Sequence, residues 1–298
     1  MSISPEDATI TINGQDCCLH TWNDQAEKPK GLVCIFHGFG AHGKYPTVRY
    51  AAERLAAANY VVVAPDLPGH GLSAGLPGYI PSASSLLDAG VDIAKYAQEK
   101  YASKCNGKFF LLGSSMGGTI SLAVAQKMAA NDSSSSVPIT GVILLAPMLM
   151  LGVSTIERYL LSGLAMLPLV STLAVIPSSS TSLELQYRDP SKRKECDDDS
   201  LSISGKLRVG SASSCVDMAA HIQTQFSSIE FPFLVMVADE DVVVKNQGSF
   251  DLMEASPSKD KTMKRYPALH GLLCEPKPLV DQVQDEMVGW IDSRAAAS

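Results

Sequence analysis

The chain has no run of Lys or Arg longer than the three residues Lys192–Lys194 and no basic stripe, and its formal charge is −7 at pH 7. Nucleic acid is therefore not an expected partner. No C-x-x-C pair occurs, and the seven cysteines, an odd number, are scattered between Cys17 and Cys274. That pattern reads as free thiols in a reducing compartment, not as a disulfide framework. None of the His, Cys and Asp spacings has the form of a metal site. The first residues, MSISPEDATI, hold no basic stretch leading into an apolar core, so no secretory leader is expected. The last, RAAAS, match no lipidation signal. The expectation is a cytoplasmic protein whose membrane contact, if it has any, is peripheral. Charged residues make up only 18% of the chain and apolar ones 46%, which argues for a sizeable core and against disorder. At 298 residues the length suits one large domain or two ordinary ones.

Long apolar runs are also scarce, with one exception. Leu160–Ile176, LLSGLAMLPLVSTLAVI, carries no charge and is almost long enough to span a bilayer. Pro168 interrupts it, and Ser162, Gly163, Ser171 and Thr172 are dispersed through it. The segment reads as an apolar lid or interfacial element, not a transmembrane helix.

What the sequence does contain is alternation. Short, continuously apolar runs recur at Leu32–Phe36, Val61–Pro65, Phe109–Gly113, Val142–Pro147 and Phe233–Ala238. Such runs suit parallel strands covered on both faces. Helical composition fills Val48–Ala58, Ser84–Tyr101 and Gly117–Ala130 between them. The pattern predicts βαβ units and a doubly wound α/β sheet. TITINGQDCCLHTWN, with its Asn-Gly pair, predicts an antiparallel hairpin at the sheet edge. NDSSSSVP reads as a short surface loop. Between residues 149 and 228 the alternation stops. This predicts a helical cap inserted between two parts of a core, at 1–148 and 229–298.

Ser115 stands out within that pattern. It follows an apolar strand, precedes a helix and is flanked by Gly113 and Gly117 as G-x-S-x-G. Ligands of parallel α/β sheets bind at the carboxyl ends of strands. A serine on a tight strand-to-helix turn there is exposed, and it faces the positive end of the next helix. This is the nucleophile elbow of α/β-hydrolases. A serine hydroxyl needs a base, and the base needs a carboxylate to orient it. Asp241 and His270 each fall just after a predicted strand, in the required order; Asp239 is a rival for the acid. Two amides are required for an oxyanion: that of Met116, after the nucleophile, and that of Phe39, in the HGFG loop. Asp66 reads as a structural carboxylate bonded to the loop near Gly69 and Gly71, and His37, His42 and His70 as braces of the oxyanion loop.

HGFGAH, APDLPGHGLSAGLPGYIPS, LLGSSMGG, ILLAPM, ADEDVV and YPALHGLL occur in this order, ahead of a C-terminal MVGWID. Together they resemble the monoacylglycerol lipase and lysophospholipase family of serine hydrolases. The chain looks most similar to its plant-type branch, which includes caffeoylshikimate esterases. The resemblance implies an α/β-hydrolase fold with a helical cap and a catalytic triad of Ser115, Asp241 and His270. Asp241 is favoured over Asp239 because Ala238–Val243 aligns with the family's G-x-x-D-x-V. Phe39 and Met116 are the implied oxyanion donors. No cofactor is implied. The implied substrate is a single-chain lipid ester such as a monoacylglycerol, with a lysophospholipid or phenylpropanoid ester as alternatives. An acyltransferase, or a receptor that keeps the triad, is the reading from another class. Contact with membranes or lipid droplets is expected through the cap. The sequence departs from the family at Ala41, where several relatives carry an acidic residue, at Ser114, where His or Gln is common, and at Ala238, which replaces the usual Gly ahead of Asp241.

Overall fold

The structure, a computed structural model, describes residues 4–130 and 137–296. The serine-rich part of the expected loop, residues 131–136, lies outside them. The chain opens with β1 (Glu6–Ile12) and β2 (Gln15–Trp22), then β3 (Leu32–Phe36), α1 (Pro46–Ala57), β4 (Val61–Pro65), α2 (Ala83–Tyr101), β5 (Phe109–Ser114), α3 (Met116–Ala130) and β6 (Ile139–Leu145). Next come α4 (Thr155–Ala165), α5 (Pro168–Ser171), β7 (Ala174–Ile176), α6 (Leu183–Gln186), α7 (Pro190–Asp197), β8 (Leu207–Arg208) and α8 (Val209–Gln223). It closes with β9 (Phe233–Ala238), α9 (Gln247–Ala255), β10 (Lys261–Tyr266) and α10 (Leu279–Ala295).

Eight strands form one sheet in the order β1-β2-β4-β3-β5-β6-β9-β10. Every pairing from β4 to β10 is parallel, while β1–β2 and β2–β4 are antiparallel. The edge hairpin turns where expected. Asn13 (φ 51°) and Gly14 (φ 75°) are both left-handed, as a two-residue turn matched to strand twist requires. The unbroken apolar runs are explained by two cores. Leu32, Cys34 and Phe36 of β3 pack with α2 and α3 side chains, while Val33 and Ile35 pack with those of α1 and α10. Period-2 alternation thus feeds both faces, and both are covered.

Boundaries moved by a few residues, each for a local reason. α1 starts at Pro46, not Val48, because proline is pre-organised for the first turn of a helix. β6 runs from Ile139 to Leu145 and stops short of Pro147, as Ala146 turns to φ 41°. All seven cysteines are free and buried.

The segment between β6 and β9 leaves the sheet and crosses the carboxyl ends of its strands. It touches both loops that matter there: Ile203 N–H donates to Gly40 O (2.7 Å), and Gly271 N–H donates to Gln186 O (2.8 Å). α8 packs on α2 and α3. Leu160–Ile176 forms α4, a short α5 and the strand β7, which pairs with β8 in a small antiparallel sheet that the sequence did not signal. No helix among the described residues is long and apolar enough to cross a membrane.

Candidate active site

Ser115 occupies the turn between β5 and α3 with φ 55°, a left-handed conformation that costs a non-glycine residue about 1–3 kcal/mol. The surroundings hold it there. Its N–H donates to Leu145 O (3.0 Å), and its carbonyl accepts from Gly118 and Met148 N–H (both 2.9 Å). The two motif glycines are required by close approach. A Cβ on Gly113 would overlap the backbone of Gly117, and one on Gly117 would overlap the carbonyl of Phe36. Any side chain at either place would push the elbow off the sheet.

Asp241 follows β9 and His270 follows β10, so parallel pairing of these strands brings their loops side by side. His270 Nδ1 lies 2.6 Å from Asp241 Oδ2. A carboxylate only accepts, so Nδ1–H is the donor and Nε2 is left with a free lone pair. The other oxygen, Oδ1, accepts from Val243 N–H (2.7 Å) and Val244 N–H (3.1 Å), which fixes the carboxylate plane. Both side chains are buried. Asp239, the rival, is turned away and pairs with Arg265 Nε at 2.8 Å. Ser115 and His270 line the same cavity. No hydrogen bond joins them among the described residues; such contacts often tighten only around substrate.

Met116 opens α3 and Phe39 lies in the loop after β3. Neither amide donates a hydrogen bond to the described residues. The bracing around that loop is extensive. His37, fully buried, donates from Nδ1 to Gly38 O (2.7 Å) and accepts at Nε2 from Leu67 N–H (3.0 Å). Burial, and then the nearby His70, push its pKa down to about 3, so it stays a neutral strut. His70 stacks edge-on to Phe39 at 5.5 Å, and burial lowers its pKa to about 4. His42 does a different job: its Nε2 bonds Asp199, 3.0 Å away across the cap.

Asp66 is wholly buried and accepts from Gly43 N–H (2.6 Å), Leu72 N–H (2.7 Å) and His20 Nε2 (3.0 Å). Burial alone would raise its pKa, but the His20 contact and the two amides outweigh it and hold the carboxyl at about 2. A Cβ on Gly71 would collide with this carboxylate. Cys18, His20 and Asp66 put their ligand atoms within 4.8 Å of one another. Since the Asp66 oxygens already hold three donors, the cluster serves as a hydrogen-bond hub of the loops.

Two cavities meet at Phe39, Ser115 and Ser180. One, of 280 Å³, is polar; Thr47, Thr181, Gln186, Asp197, Asp199 and Ser202 are among its walls. The other, of 400 Å³, is lined by apolar groups such as Met148, Leu151, Leu161, Ile176, Leu207 and Val216. Sequence reasoning missed the polar arm, because the walls facing the core loops, from Ser180 to Ser204, come from an insertion whose path no periodicity revealed. A serine- and aspartate-rich stretch between two apolar ones was the available signal.

The sheet order and the serine elbow define an α/β-hydrolase. The chain belongs to the family described as "Serine aminopeptidase, S33", which it matches over residues 27–277. It is 27% identical to mouse monoglyceride lipase over 294 residues, spanning 97% of this chain and 91% of that one. It is 25% identical over 274 residues to caffeoylshikimate esterase of Arabidopsis thaliana, covering 89% and 78%. The crystal structure of Paleococcus ferrophilus monoacylglycerol lipase superposes with a TM-score of 0.75 at 24% identity, covering 98% and 100%. At that identity the superposition speaks for the fold.

Proposed function

We propose that this protein hydrolyses the ester of a neutral, single-chain lipid, a monoacylglycerol, through an acyl-enzyme formed on Ser115. His270 Nε2 removes the Ser115 proton as the hydroxyl attacks the ester carbonyl. Asp241 holds the ring in the Nδ1–H tautomer and stabilises the imidazolium that forms. The amides of Phe39 and Met116 receive the oxyanion, at the positive end of α3. His270 then returns its proton to the leaving alcohol. Water, activated by the same nitrogen, releases the fatty acid and restores Ser115. The cap, residues 149–228, contributes walls to both cavities, and its last helix is shared with the core.

The observation that carries this reading is the pair of unlike arms meeting at Ser115. An acyl chain fits the apolar arm, where each buried methylene contributes roughly 0.8 kcal/mol. A polyol fits the arm rich in hydroxyls. That arm contains Asp197 and Asp199 but no Lys or Arg, so an anionic alcohol such as a phosphate ester or a carboxylated ring is disfavoured there. The names of the lipase relatives point the same way. The test is a substrate panel of monoacylglycerol, lysophosphatidate and caffeoyl esters of a neutral and a carboxylated alcohol. The monoacylglycerol is expected to have the highest kcat/KM, and the anionic esters to be slower by at least about tenfold, or roughly 1.4 kcal/mol. Equal rates on neutral and anionic alcohols would overturn the reading. Release of no product from any ester would favour the receptor alternative.

The outer face of the cap supports a meeting with lipid. α4 has no buried residue, and Ile156, Tyr159, Met166 and Leu169 are each more than 70% exposed, at 73%, 73%, 82% and 85%. A patch of this kind marks an interaction surface. Leu164 and Leu167 are half exposed on the same segment. Replacing both with Ser is expected to lower turnover of long-chain monoacylglycerol in vesicles severalfold, while a short soluble ester is cleaved as before. Equal loss on both substrates would show that the segment serves folding only.

A further inference from the structure

We propose that Arg188, on the cap, is a positioning residue for His270 and acts through the buried carboxylate of Glu275. This rests on His270 being the general base, as argued above. Arg188 lies between α6 and α7, two residues after the Gln186 carbonyl that binds Gly271. Its Nε donates to Glu275 Oε2 at 2.9 Å, and its Nη2 lies 3.0 Å from Glu240 Oε1. The other oxygen of Glu275 accepts the amide of Leu269, the residue before His270, at 2.6 Å. Glu240 precedes Asp241 and donates its own amide to Ala268 O at 3.0 Å. One guanidinium from the cap therefore joins the loop that presents the base and the loop that presents the acid.

The chemistry makes the link directional. The Glu275 side chain is 1% exposed, whereas that of Arg188 is 40% exposed. A buried carboxylate is tolerated because it is paired and hydrogen-bonded; without its partner it must be rehydrated or displaced. Leu269 is tied to the carboxylate, so displacement of Glu275 shifts the peptide that carries His270. The planar fork of Arg reaches Glu275 and Glu240 together, and a Lys ammonium lacks that geometry. The position of the cap and the aim of the imidazole are thus one variable.

The experiment measures kcat and KM on p-nitrophenyl butyrate and the fluorophosphonate labelling rate, with thermal melts alongside, for the full chain. Wild type, Arg188→Gln, Arg188→Lys, Glu275→Gln and the double Gln variant are compared. Arg188→Gln is expected to lower kcat and the labelling rate roughly ten- to a hundredfold through misplacement of the base, with KM nearly unchanged. Lys is expected to restore little. Glu275→Gln should cost less, because its amide oxygen still accepts from Leu269. The double variant should recover towards Glu275→Gln alone, since the unpaired buried charge is gone. Losses that multiply across the two sites would overturn the coupling. So would unchanged rates in Arg188→Gln, a rise in KM alone, or losses that disappear well below the melting temperature. Wild-type labelling that Ser115→Ala does not abolish would instead sink the catalytic reading, and this proposal with it.

Discussion

Ser115→Ala is expected to lower ester turnover by on the order of a millionfold and to abolish covalent labelling by a fluorophosphonate. The reason is chemical: no other hydroxyl among the described residues combines a left-handed elbow, a place in the cavity beside His270 and a helix N-terminus behind it. Removing the Oγ removes the bond-forming atom, so the acyl-enzyme has nowhere to form. The neighbouring Ser114 also lines the cavity, but it ends β5 in regular strand geometry. Folding should be unaffected, because alanine keeps the Cβ that sets the left-handed strain and removes only the hydroxyl. Intact-mass spectrometry after labelling, read beside the melting temperature, decides the matter. Equal labelling of a correctly folded Ser115→Ala protein would place the nucleophile elsewhere.

Asp241→Asn is expected to reduce turnover by about ten-thousandfold, the scale of loss when an amide replaces a triad acid and selects the wrong imidazole tautomer. An Asn side chain can present its NH₂ to His270 Nδ1, which then becomes the acceptor, and Nε2 carries the proton it should be free to take. Asp239→Asn should cost little. It weakens an ion pair to Arg265, whose side chain is 59% exposed, and exposed pairs contribute about 0–1 kcal/mol. Steady-state rates on one soluble ester for both variants are sufficient. The reverse ranking would show that Asp239 and not Asp241 serves the histidine.

The proposed triad was legible because each member is tied to a strand end, and strand ends follow from composition. Apolar runs that close on Gly, Pro or Asp mark where the chain leaves a covered sheet. Family resemblance then supplied a register for ADEDVV, and in the structure the carboxylate beside His270 is that of Asp241. The edge hairpin was legible for an equally local reason, since Asn13-Gly14 encodes its own turn. The polar arm, the His42–Asp199 tie across the cap, and the Arg188–Glu275–Leu269 chain were not. Their partners are separated by 157, 87 and 6 positions. The two long-range pairs rest on how the insertion lies over the sheet. No periodicity marks the third either, although it is close in sequence.

By itself, then, the sequence determined the doubly wound sheet, the glycine-bounded elbow at Ser115 and the positions of Asp241 and His270 after β9 and β10. These follow from local patterns of burial and backbone strain. Only the tertiary structure decided which carboxylate faces His270, which groups wall the two arms and which face of the cap is left uncovered. Those outcomes depend on where an insertion of short helices settles. That is fixed by a few long-range hydrogen bonds, such as Ile203 to Gly40 and Gly271 to Gln186, and such bonds leave no pattern in the residues that make them.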